Sequence, residues 1–175
     1  MEALRQSHGV TVRWRSFELR PAGTTIPPEY KARIEAMRPQ LYEMARAQYG
    51  LELNSGPMGI DSRPALIGAK YAEAQGVGEA YHEAVFAAYW LHAQSIEETA
   101  VLADIATSIG LEREAFLAAL QDEKWETAVV ADIQQATAYG LSGVPALVFA
   151  NKYLVTGAQP YQTLVEVTEK AAEAS

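Results

Sequence analysis

The sequence predicts an α/β fold in which a small sheet carries a large helical insertion. Two observations lead there. Strand-like stretches stand far apart, at residues 10–17 and 146–156, and the hundred-odd residues between them repeat their apolar side chains at helical spacing. Glycine and proline punctuate that middle at intervals suited to short helices, with no internal repeat and no low-complexity run.

Val10-Thr11-Val12-Arg13-Trp14-Arg15-Ser16-Phe17 alternates apolar with polar at period two, which predicts a strand over 10–17 with Val10, Val12 and Trp14 on a core-facing side. Pro21 to Pro28 reads as a loop, and the two prolines at its end suit a first helical turn. A helix over 28–49 follows, with a disturbance expected at Pro39. Gly50 to Gly59 reads as loop. Asp61-Ser62 can cap the next helix, which has Pro64 in its first turn and Gly76 past its end.

Glu79 to His92 places Tyr81, Val85, Ala88 and Tyr89 at helical spacing and adds Phe86 and Trp90, so it reads as a central helix. Ser95-Ile96-Glu97-Glu98 fits the capping box, ahead of a stripe of Leu102, Ile105, Ala106 and Ile109 that ends at Gly110. Helices over 112–120 and 123–139 come next, the second built on Trp125, Val129, Ile133 and Ala136 and closed by Gly140. Val144 to Ala150 is an apolar strand, Asn151-Lys152 a tight turn, and Tyr153 to Thr156 a second strand, which together make a hairpin. Tyr161, Leu164, Val165, Thr168 and Ala172 mark a final helix over 160–173.

The chain has 175 residues, of which 49% are hydrophobic and 21% charged, the balance of an ordinary globular chain. A chain of this size removes about 70% of its extended surface from water, so a core forms without metal or disulfide staples. Fourteen Lys and Arg stand against 22 Asp and Glu, a net charge of −8 that disfavours polyphosphates and anionic bilayers. The opening residues show no secretory signal pattern, and no run approaches the roughly 18 apolar residues of a membrane span. A cytoplasmic protein without nucleic-acid or membrane partners is expected.

The cysteine count is zero, which excludes a disulfide, a thiolate metal site and a catalytic thiol within these residues. His8, His82 and His92 fall at no metal-ligand spacing, and no metal site is expected. No phosphate loop, nucleophile elbow or catalytic carboxylate pair stands out either, so no catalytic residue is assigned. Ser142-Gly143-Val144-Pro145 differs from its surroundings, because a proline sits where a helix end meets an apolar strand. Two readings are open. It is a turn that merely starts the strand, or a cis Val144–Pro145 bend that presents the backbone of Val144 to an extended peptide.

Gly140-Leu141-Ser142-Gly143-Val144-Pro145-Ala146-Leu147-Val148-Phe149, with Lys152 to Tyr161 including Gly157-Ala158-Gln159-Pro160, resembles the cis-proline strand and following turn of DsbA-family thioredoxin-like proteins. The closer similarity is to the FrnE type, grouped with 2-hydroxychromene-2-carboxylate isomerases. Phe17-Glu18-Leu19-Arg20-Pro21 is similar to that family's F-x-L-x-P segment, and Glu83-Ala84-Val85-Phe86 to its central helix. The resemblance implies a thioredoxin-like α/β fold of the DsbA type with residues 1–22 and 141–175 as the thioredoxin-like portion and 23–140 as the helical insertion.

The family begins with a strand that leads into a CxxC motif, or into a serine in glutathione-dependent relatives. Met1-Glu2-Ala3-Leu4 resembles the last turns of the helix that follows, so the N-terminal strand and the nucleophile are expected to be missing, through a late start, shortening or evolved loss. The resemblance implies thiol–disulfide oxidoreductase work, to which this chain would bring no thiolate. Gly143, Val144 and Pro145 are the substrate-contact residues it implies, for an extended peptide or a small thiol. The alternatives are a glutathione-dependent isomerase of an aromatic carboxylate, with glutathione as cofactor, and a non-catalytic peptide-binding module. A homodimer is expected, with strand 10–17 or helix faces bared by the shortening at its interface.

Overall fold

The computed structural model describes residues 1–21 and 23–173. The chain divides into two units, Met1–Leu19 with Ala131–Ser175, and Arg20–Val130. The expected boundary residue 22 and the end residues 174 and 175 lie outside the described residues.

The middle unit is helical. It contains α2 (Pro28–Tyr49), α3 (Arg63–Ala74), α4 (Gly78–Trp90), α5 (Thr99–Ser108), α6 (Arg113–Ala119) and the first half of α7 (Glu123–Ala138). Its core lies among α3, α4, α5 and α6, where Tyr81, Phe116, Leu102 and Ala106 are almost wholly buried. Aromatic edges lock this core: Tyr71 meets Phe116 and Trp125 edge-on, with ring centroids at 6.1 and 5.7 Å. At Gly68 of α3 the Tyr81 hydroxyl and the tip of the Phe116 ring occupy the space a Cβ would fill.

Two local expectations in this unit are corrected, and a third is met in part. α2 runs unbroken through Pro39, because that residue is exposed and the helix forgoes only one hydrogen bond there. The capping box at Ser95 does not form. Glu98 is the N-cap of α5, and its N–H donates to the Ser95 carbonyl in a turn at 3.2 Å. At α3 the Asp61 carboxylate accepts the Arg63 N–H at 2.8 Å, while the N-cap Ser62 makes no side-chain capping bond. α6 is capped by Glu112, whose carboxylate accepts the N–H groups of Glu114 and Ala115. Those two backbone bonds hold the Glu112 carboxyl below its usual pKa.

The other unit contains α1 (Glu2–His8), the second half of α7, the strands β1 (Ala146–Phe149) and β2 (Tyr153–Thr156), and α8 (Tyr161–Glu173). β1 and β2 pair antiparallel in the register Ala146↔Thr156 to Phe149↔Tyr153, and α8 packs on β1 and on α1. Ala150 and Asn151, with φ of 48° and 55°, are the central residues of the turn, one position earlier than expected. Lys152 N–H closes it on the Phe149 carbonyl at 2.9 Å. On α8 the buried face carries Thr168 and Ala171, so Ala171 rather than Ala172 faces inward.

The strand expected over 10–17 is not formed. Residues 9–18 have no regular secondary structure, and Trp14, expected to face a core, is 45% exposed. Alternation alone does not make a strand, because its backbone groups need a neighbouring ladder. Here the Ser16 N–H goes instead to the buried carboxylate of Asp132, at 2.9 Å. Among the described residues no helix is long and apolar enough to cross a membrane.

Candidate peptide-binding loop

Gly140 ends α7 with a φ of 69°, and the N–H groups of Gly140 and Leu141 close back on the carbonyls of Thr137 and Ala136. That reversal directs Ser142, Gly143 and Val144 away from the helix and into β1. Gly143 does not use glycine's left-handed freedom, and a Cβ there would meet nothing within 4 Å, so the bend draws on Gly140 and leaves open space at Gly143.

The Val144–Pro145 peptide bond is cis. Pro145 is tied into the sheet, its carbonyl accepting the Gly157 N–H at 2.8 Å. Gly157 holds its own turn with a φ of 75°, and the Gln159 side chain steadies that turn by donating to the Thr156 carbonyl at 2.9 Å. Val144 stands out from this frame. It is 53% exposed, and among the described residues its N–H and C=O enter no backbone hydrogen bond.

The chemistry of the loop is that of a backbone. From Gly140 to Asn151 there is no charged or imidazole side chain, and Ser142 carries the only hydroxyl. Such a surface can donate and accept amide hydrogen bonds and cover apolar groups; it holds no acid, base or anion partner. Gly143, Val144 and Pro145 follow one another in this loop, with Val144 and Pro145 exposed.

The histidines do not join it. His8 Nδ1 lies 2.6 Å from the Ser7 hydroxyl and its Nε2 3.7 Å from Glu169. His82 stacks on Phe86 in the helical unit, with ring centroids 4.4 Å apart. Sequence reasoning missed Asp132, which lies 5% exposed on α7 and anchors both Ser16 and Arg15. The signal was there, since Asp132 falls three residues after Val129 and four before Ala136, on the buried stripe of the helix.

The family model of the DSBA-like thioredoxin domain matches residues 1–169. Among solved structures, a probable DsbA oxidoreductase from Streptomyces coelicolor is similar with a TM-score of 0.78 and 25% identity, over 92% of this chain and 75% of its own. A protein from Nitrosomonas europaea assigned provisionally as a protein disulfide isomerase gives 0.74 and 21%, over 99% and 88%. A 2-hydroxychromene-2-carboxylate isomerase gives 0.72 and 20%, over 99% and 89%. The last two likenesses are of fold alone. No curated protein matches the sequence.

Proposed function

The chain belongs to the DSBA-like thioredoxin domain family, and on that premise we propose that these residues are the substrate-holding part of a thiol–disulfide oxidoreductase, gripping an extended peptide at Gly143, Val144 and Pro145. The observation that carries the reading is Val144, exposed and with no backbone partner among the described residues, at the mouth of an apolar strand. An exposed amide and carbonyl of one residue recognise an extended backbone as one rung of a ladder.

Thiol–disulfide exchange proceeds by attack of a thiolate on a disulfide sulfur, and the 175 residues contain no cysteine. In this reading the chain binds, and any redox thiol comes with the substrate or from polypeptide beyond these residues. The isomerase reading has less support, since an aromatic carboxylate calls for a cationic or donor-rich partner and the loop from Gly140 to Asn151 has no charged side chain.

Calorimetric titration tests the proposal with two probes, an extended apolar peptide and reduced glutathione. The peptide is expected to bind, and Val144→Pro, which deletes the exposed N–H, is expected to weaken binding about tenfold with the circular dichroism of the fold retained. Absence of peptide binding by the folded chain overturns the proposal.

A further inference from the structure

The cations of this acidic chain are not treated alike. Arg5, Arg15, Arg46, Arg63 and Arg113 are each paired with a carboxylate, as expected where 22 acids surround 14 bases. Arg20, Arg33 and Arg38 of the helical unit have no carboxylate partner among the described residues, although Glu29 and Glu35 share α2 with two of them.

These three are gathered rather than scattered. Arg20, in the bend that precedes α2, has its guanidinium 5.4 Å from the centroid of the Tyr30 ring, and Arg33 has its own 5.1 Å from the same centroid. The two cations are therefore held no more than about 10.5 Å apart, close to the roughly 10 Å over which 0.1 M salt screens exposed charges. One cation on a ring is an ordinary contact, whereas a second on the same ring brings like charges together. Arg38 extends the cluster. It donates to the Gly56 carbonyl at 3.3 Å, and it is the main charge opposing the upward push of burial on the Tyr89 phenol. Arg20 acts on Tyr89 in the same sense, so that ring lies near both arginines.

Cations assembled without counter-charge are what an anion completes. A guanidinium offers N–H donors in a planar fork that matches the oxygens of a carboxylate or phosphate, and contact with an aromatic ring leaves those donors without an anionic acceptor. Two such forks beside one ring suit a ligand with two negative charges. The net charge of −8 limits its size, because a long polyanion would have to run across acidic surface while a small dianion meets only the local field.

We propose that Arg20 and Arg33, gathered at Tyr30 and extended by Arg38, form a binding site for a small doubly charged oxyanion, a phosphate monoester or a short dicarboxylate. Each guanidinium offers its fork to oxygens of the ligand, and Tyr30 holds the two in place. The site lies within the helical unit and does not draw on the loop before β1, so it stands or falls apart from the peptide reading.

Inorganic phosphate and succinate, each titrated into the full chain at constant ionic strength, are the probes, read by the NMR resonances of the arginine Nε–H groups. At least one is expected to shift the Arg20 and Arg33 resonances saturably, and acetate, with a single charge, is expected to bind about tenfold more weakly. Saturation by phosphate alone assigns the site to phosphate esters, and by succinate alone to dicarboxylates. Arg20→Gln with Arg33→Gln is expected to weaken binding at least tenfold, while Arg13→Gln, at an exposed arginine outside the cluster, leaves it unchanged. Three results overturn the proposal: no saturable shift with either dianion, shifts confined to other arginines, and shifts that sodium chloride reproduces at equal ionic strength. The first measurement needs no variant, and retention of full affinity by the double variant overturns the proposal as well.

Discussion

The Asp132 carboxylate accepts the backbone N–H of Ser16 at 2.9 Å, a bond that ties α7 to a segment with no regular secondary structure. Arg15 donates to the other oxygen at 3.0 Å, with its own side chain 55% exposed and that of Asp132 5% exposed. A buried carboxylate with charge-assisted partners is stabilising while paired, and its removal leaves a buried N–H without an acceptor. Asp132→Ala is expected to cost about 2–3 kcal/mol in urea unfolding. Arg15→Ala, which removes only the solvent-screened partner, is expected to cost less than about 1 kcal/mol. Equal costs for the two would show that Ser16 is not the main partner.

Tyr81 is 1% exposed, and its hydroxyl finds no hydrogen-bond partner among the described residues. Burial pushes its phenol above the usual range. Deleting the hydroxyl removes a desolvated polar group and leaves the ring in place, so Tyr81→Phe is expected to be neutral or to stabilise by up to about 1 kcal/mol. Gly68→Ala places a methyl against the Tyr81 and Phe116 rings and is expected to cost about 1–3 kcal/mol, with part of that cost relieved in the Tyr81→Phe background. A double-mutant cycle read by thermal unfolding checks both statements.

Burial holds the His82 imidazole below its usual pKa, against the opposing pull of Glu83 and Glu79. The unfolded chain then binds a proton at a higher pH than the folded one does. Stability from this group is full above about pH 6.5 and is lost as the pH falls through the lowered folded value. The Tm of the wild type is expected to drop further between pH 7.5 and 5.5 than that of His82→Gln. Parallel Tm profiles would show that other groups carry the acid sensitivity.

With no cysteine in 175 residues, the purified chain is expected to give no acceleration of insulin reduction by dithiothreitol over a blank. Turbidity measured across a range of thiol concentrations checks this. Catalysis by a preparation free of other oxidoreductases would require a route that uses no protein thiolate.

The exposed stripe of α2, with Met37, Leu41 and Met44 at 55%, 36% and 45%, makes a contrasting prediction. These side chains already meet water in the single chain, so Met37→Lys and Leu41→Lys are each expected to change stability by no more than about 0.5 kcal/mol. Urea unfolding of the two variants at low protein concentration provides the measurement.

Much of the fold is legible in the sequence. The helices over 28–49 and 123–139 follow from a proline in a first turn and a glycine stop, signals that act over three or four residues and need no distant partner. The hairpin and the Ser142–Pro145 entry to β1 were likewise written in local chemistry, and so was the lack of any thiol. Only tertiary structure decided the state of residues 10–17. Their alternation is that of a strand, but a strand exists through hydrogen bonds to a neighbour, and Ser16 gives its N–H to a side chain 116 residues away instead. The same holds for the burial of Asp132 and the close fit of Gly68 against Tyr81, each set by which elements meet rather than by what lies next to them in sequence.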